Sequence, residues 1–214
     1  MAEELTPPPI PKSSLETDGW ERTADRSETL FSLPTMQILG RTLQYEDARS
    51  RRELSEATGG EIDQTVRFFA VTTVGFDPPL PPGTTPTMFV PTLRSEARRN
   101  FVDRLEQRGL TAIEKGRSER LKLSKRKRVR AHKYRAVDPL NGIEGQELPL
   151  ECWIAIWTTG GTVRIVTSGY PAVSLDTQFD LEPTGEILSR SPRQYREAFF
   201  SLLRGVPAAE NEAN

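Results

Sequence analysis

The chain has 214 residues, 36% hydrophobic and 28% charged, with a formal net charge of −1. That is long enough to bury a core without staples and too near neutral for a uniformly basic or acidic protein. One cysteine and one histidine exclude an internal disulfide framework and the usual histidine-based metal sites, and no stretch approaches the 18 consecutive apolar residues of a transmembrane helix.

The start, MAEELTPPPIPK, is acidic and proline-bearing. It lacks the basic and apolar regions of a secretory signal, so a reducing cytoplasm is the expected setting. Residues 1–17 carry few apolar side chains to offset their ordering entropy and are expected to form a disordered arm. The segments ETLFSL (28–33) and MQILGRTLQY (36–45) alternate as short strands around Pro34, which cannot donate to a central ladder. DARSRRELSEAT (47–58) reads as a short helix capped by Asp47 and ended by Gly59-Gly60. QTVRFFAVTTVGF (64–76) is a strand rich in β-branched and aromatic residues.

Six prolines stiffen DPPLPPGTTPTMFVP (77–91), expected to be a rigid crossover whose Met88, Phe89 and Val90 tuck onto the core. LRSEARRNFVDRLEQR (93–108) has Leu93, Ala97, Phe101, Val102 and Leu105 on one helical stripe, with Thr92 as N-cap and Gly109 as stop. LECWIAIWTTGGTVRIVTS (150–168) is a hairpin turned by Gly160-Gly161. Its first strand is apolar on both faces: Cys152, Ile154 and Ile156 alternate with Trp153, Ala155 and Trp157, so it should be central and covered on both sides. The last helix runs from Pro192 to Arg204, with Ser191 and Gln194 as a capping box and Gly205 as the stop. Residues 206–214 are expected to be a flexible tail. The sum is one α+β domain over 18–205, a mainly antiparallel sheet of about seven strands packed against helices.

The most distinctive segment is KGRSERLKLSKRKRVRAHKYR (115–135), with eleven Lys or Arg against one Glu. Its charge of +10 leaves −11 on the rest of the chain. It reads as two strands joined near SKRK. The candidate polyanion-binding residues are Lys122, Lys125, Arg126, Lys127, Arg128, Arg130 and Lys133. The competing reading is a solvated edge hairpin whose cations discourage strand addition. A third is that it meets an acidic surface of its own chain or of a second subunit. Tyr134 is the one aromatic residue in the run, which disfavours stacking of single-stranded bases.

His132 on this basic segment reads as a surface or half-buried strand residue, and Cys152 among apolar neighbours as an inert core thiol. Glu144, Glu147 and Glu151 have no spacing that separates them from a solvated loop, and no phosphate-binding or dinucleotide-binding glycine motif occurs. No catalytic, cofactor or metal site is therefore expected.

GWERTADRSETLF, GRSERLKL with HKYRA, and WIAIWTTGGTVRIVTSGYP resemble stretches of an uncharacterised family of small haloarchaeal proteins. The order of elements (early strands, a helix, two hairpins, a terminal helix) resembles the PsbP-like α/β/α sandwich. That resemblance implies binding or assembly more than catalysis. The functional expectation is a non-enzymatic interaction or assembly protein, with a protein partner or homo-oligomer and no membrane. Polyanion or nucleic-acid binding through 115–135 comes second, and an enzyme with an unrecognised carboxylate site third.

Overall fold

The computed structural model describes residues 5–124, 127–140, 145–182 and 185–212. Among these residues seven strands form one sheet: β1 (Trp20–Leu33), β2 (Met36–Asp47), β3 (Phe68–Asp77), β4 (Thr111–Lys122), β5 (Arg128–Asp138), β6 (Leu148–Thr159) and β7 (Thr162–Pro171). The order is β1-β2-β3-β7-β6-β5-β4, and every neighbouring pair is antiparallel. Two meanders thus meet at the β3–β7 seam. The chain crosses from β3 to the far edge through a 3₁₀ turn (Pro86–Phe89) and helix α3 (Val90–Gln107), then returns strand by strand. The shorter helices are α1 (Lys12–Thr17), α2 (Ala48–Ala57) and α4 (Leu175–Gln178), and α5 (Pro192–Glu212) is the longest.

The sheet is covered on both faces, as the doubly apolar strand requires. Cys152, Ile154 and Ile156 of β6 join a cluster beneath α3 with Leu93, Ala97, Phe101 and Leu105. Trp153, Ala155 and Trp157 join a second cluster beneath α5 with Tyr195, Phe199 and Leu203. Gly160 and Gly161, at φ 51° and 78°, make the β6–β7 turn. Asp47 caps α2 as expected: its carboxylate accepts from Ser50 N–H at 2.8 Å and from the Ser50 hydroxyl at 2.8 Å. It also pairs with the buried Arg67 at 2.8 Å.

Several elements differ from the sequence expectations. β1 begins at Trp20 rather than 28, because residues 20–27 form an edge strand exposed along most of its length and so show no alternation. β3 begins at Phe68 rather than 64. The preceding Arg67 turns inward as a buried ion-pair partner instead of alternating in a ladder. Thr92 lies inside α3, which has no side-chain cap. The 3₁₀ turn feeds directly into the helix, and Pro91 in its first turn has no N–H to satisfy.

Residues 5–17 of the expected disordered arm pack along the α5 side of the sheet. Leu15 is buried, Ile10 packs on the same cluster, and the Leu5 carbonyl accepts from Arg41 Nη1 at 3.0 Å. Prolines lower the entropy this ordering costs. Finally, Gly205 does not stop α5, which continues through Pro207 to Glu212. The glycine serves close approach instead: a Cβ there would sit 2.6 Å from the Pro11 ring. In the crossover, Phe89 does tuck in, 6.0 Å from Phe76 between ring centroids, whereas Met88 is 70% exposed.

Candidate anion-binding face

The strand register sorts the charges of the basic segment. In the β4–β5 ladder Lys122 lies opposite Arg128, Arg120 opposite Arg130, and Ser118 opposite His132. The intervening Leu121, Val129 and Ala131 are buried under α5. Alternation therefore directs Arg120, Lys122, Arg128 and Arg130 to the other face, the α3 side, where Tyr134 is buried against Phe101. All four cations are exposed. Among the described residues no acidic side chain pairs with any of them. Like charges directly opposite each other destabilise a ladder, and here two such pairs occur in alternate rungs, next to each other on one face.

Helix α3 adds to the same region. Arg94 and Arg98 are one turn apart, another like-charge spacing that a helix does not favour. His132, half-buried beside them, has its pKa lowered to about 4. Burial is the largest cause, followed by the positive charges of Arg98, Lys115, Arg130 and Arg94. The cations that act on this ring come from three elements, α3, β4 and β5.

The other expected residues separate from this group. Lys133 points to the α5 side, where its ammonium meets Glu151 at 2.7 Å and lies 5.7 Å from the Trp153 ring centroid. Lys127 sits half-buried in the turn, its carbonyl accepting from Leu123 N–H at 2.9 Å and Ser124 N–H at 3.3 Å. Lys125 and Arg126 lie outside the described residues. Of the seven expected residues, the structure brings Lys122, Arg128 and Arg130 together on one face, and adds Arg94, Arg98, Lys115 and Arg120. The helical pair has a sequence signal, Arg at i and i+4, whose meaning depends on knowing which face of α3 looks toward β5.

The remaining chemical candidates have structural roles. Cys152 is fully buried, which pushes its thiol up to about 12 and keeps it protonated. Glu151 accepts from the Tyr170 hydroxyl at 3.1 Å as well as from Lys133. The Glu147 carbonyl accepts from Gln178, and Glu144 is outside the described residues. A cavity of about 370 Å³ opens between α3 and the sheet near β1, a feature no sequence motif marks.

A family model described as a domain of unknown function, DUF6517, matches residues 7–207. The chain belongs to the DUF6517 family. The matched span begins at Pro7, so the DUF6517 domain takes in the N-terminal strap that carries Ile10, Pro11 and Leu15 across the sheet. No curated protein matches the chain. Among solved structures it is similar to the Ran-binding protein Mog1p of Saccharomyces cerevisiae, at 11% identity and a TM-score of 0.39, over 87% of this chain and 94% of that one. No helix among the described residues is long and apolar enough to cross a membrane.

Proposed function

We propose that this DUF6517 protein is a non-enzymatic binding protein that holds a nucleic-acid duplex against the α3 side of the β4–β5 hairpin. The observation that carries the reading is the pair of like-charged rungs, Lys122 opposite Arg128 and Arg120 opposite Arg130. Edge protection explains cations on β4, which is an edge strand. It does not explain Arg128 and Arg130, because β5 is an interior strand paired on both sides. Phosphates placed over the face would turn a repulsive arrangement into a favourable one. A duplex backbone fits better than single strands, since the ring of Tyr134 is buried and unavailable to bases. An archaeal cytoplasm as the setting and a PsbP-like class for the fold belong to the same proposal, resting on the stretches and the element order quoted above.

A second reading has one observation in its favour, the charge of −11 outside residues 115–135. The acidic surface of a second copy would then be the partner. One experiment separates the two. A labelled DNA duplex is titrated with the protein across a salt series, alongside the quadruple variant Arg120→Gln, Lys122→Gln, Arg128→Gln, Arg130→Gln. Affinity should fall steeply with salt, and the variant's log–log slope should be shallower by about 3–4, near 0.9 per lost phosphate contact. Absence of salt-sensitive binding at low ionic strength ends the duplex reading. If sedimentation then shows a dimer that both salt and the variant dissolve, the second-copy reading takes its place.

A further inference from the structure

The cavity beneath α3 lies apart from the four hairpin cations. Its floor is the centre of the sheet, with Ala70 and Thr72 of β3, Ile154 of β6, and Ile165 and Thr167 of β7. Its inner wall is the apolar stripe of α3, from Ala97 through Phe101 to Leu105. Its outer wall comes from β1, where a bulge at Leu30 adds an unpaired residue. Leu30 folds over Gly40, where a Cβ would lie 2.7 Å from its Cδ2, and its carbonyl accepts from Asn100 Nδ2 at 2.9 Å. The glycine and the bulge together build this wall, so the space is shaped by the backbone and is not a gap left by one small side chain.

The polar groups gather at one end. Arg104 in the last turn of α3 and Arg108 at its C-cap stand one turn apart, and Arg26 approaches from β1. Glu28 is held between Arg26, at 3.4 Å, and Arg104, at 3.0 Å. Glu28 Oε1 is itself buried without an aligned hydrogen bond. Arg108 is the least satisfied cation of the three. Its guanidinium lies 4.3 Å over the Phe68 ring, and its acidic neighbour Glu46 is at 3.7 Å, too long for a hydrogen bond. At the floor the Thr42 and Thr72 hydroxyls satisfy each other at 2.8 Å and demand nothing from a ligand. The volume falls at the lower end of the roughly 300–1,000 Å³ typical of ligand pockets.

We propose that this cavity binds a small amphiphilic carboxylate, its head on Arg108 and Arg104 and its hydrocarbon body against Phe101, Leu105, Ile154 and Ile165. A guanidinium fork suits a carboxylate, and the apolar wall of Phe101, Leu105, Ile154 and Ile165 suits a hydrocarbon chain or ring. The site is independent of the duplex-binding reading, because none of its residues belongs to the β4–β5 hairpin.

The test uses the full chain with ¹³C-labelled methyl groups, titrated in parallel with sodium octanoate and with 1-octanol. Octanoate should shift the methyl signals of Ile154, Ile165 and Leu105, with those of the α5 side unmoved. Arg108→Gln should weaken octanoate about tenfold and leave octanol unchanged, which separates a head-group contact from general greasiness. Ala70→Leu, which fills the floor, should remove binding of both. Arg108→Gln reads the site even if the filled variant does not fold. The hairpin substitutions Arg128→Gln and Arg130→Gln should leave octanoate binding intact whether or not duplex binding fails. Shifts scattered over the surface, an Arg108→Gln effect equal for acid and alcohol, or no binding of octanoate at all would each overturn the proposal.

Discussion

The two faces of the sheet are covered by helices of similar length and are packed in different ways. Beneath α5 the core is rich in aromatic contacts. Trp153 lies 6.1 Å from Phe199 and 5.4 Å from Phe200, and Tyr170 stacks on Tyr195 at 5.9 Å. Part of its polar content is tied together: Trp153 Nε1–H donates to the Tyr170 hydroxyl at 2.7 Å, which donates to Glu151, while Trp20 Nε1 and Trp157 Nε1 are buried with no partner among the described residues. Burial raises the Tyr170 phenol and pushes Tyr195 up to about 12. Beneath α3 the ring pairs are Phe101 with Tyr134 and Phe76 with Phe89, and they give way to a cavity and then to partly exposed ions. The contrast says that the α5 face serves stability, while the α3 face leaves room and charge unspent.

Matched truncations give the most direct way to break this contrast. Phe199→Ala should cost toward the upper end of the roughly 3–5 kcal/mol expected for a buried ring. Phe101→Ala should fall at or below the lower end, because its ring already borders empty space and has fewer contacts to lose. Urea unfolding of both variants measures the difference. Equal losses would mean that the cavity is not a real deficit of packing.

Ion pairs on the two sides should differ in the same sense. Arg67 is 1% exposed and Asp47 is 2% exposed, with the guanidinium 4.5 Å over Trp20 and 5.4 Å from the Tyr195 centroid. Burial lowers the Arg67 pKa, opposed by the charge of Asp47, and Arg67 Nη2 has no hydrogen-bond partner. Asp47→Ala would leave a buried cation unpaired and uncap α2, at a cost of about 3–5 kcal/mol. Glu28→Ala, between partly exposed arginines, should cost at most about 1 kcal/mol. A Glu28 effect as large as that of Asp47 would show that the α3 side holds a structural ion network rather than a spare one.

What the sequence could reveal of this arrangement follows from what each feature depends on. The double alternation of Cys152–Trp157, the Gly160-Gly161 turn and the Ser191–Gln194 box are local patterns, and each appears as read. In the box, Gln194 Oε1 accepts from Ser191 N–H at 2.8 Å. Gly205 reads as a stop because the approach of Pro11 comes from the other end of the chain. The basic run was visible as a quantity but not as a surface. Only the register shows that Lys133 is spent on Glu151 while Arg130 is not, and only the path of α3 brings Arg94 and Arg98 alongside. The cavity depends on a bulge at Leu30 and a bare Gly40 in different strands, which no periodicity encodes.

The smallest expected effect is also the one that reads the charge of the α3 side most directly. Burial first, and then the charges of Arg94 and Arg98 from α3, Lys115 from β4 and Arg130 on its own strand, lower the His132 pKa from 6.5 to about 4. Between those values the unfolded chain binds a proton that the folded protein does not, so stability falls as pH drops through this window and levels off below it. The loss should stay well under the full linkage value of about 1.4 kcal/mol per pH unit, since the ring is only half-buried and solvent screens its neighbours. Unfolding of the wild type and of His132→Gln at pH 7.5 and pH 5 isolates this component, because the variant lacks it. Arg98→Gln and Arg130→Gln should each raise the His132 pKa in an NMR titration, and so should a bound polyanion. A His132 that titrates at 6.5 or above in the free protein would mean that neither burial nor these cations act on the ring, and the contrast between the two faces would lose its electrostatic half.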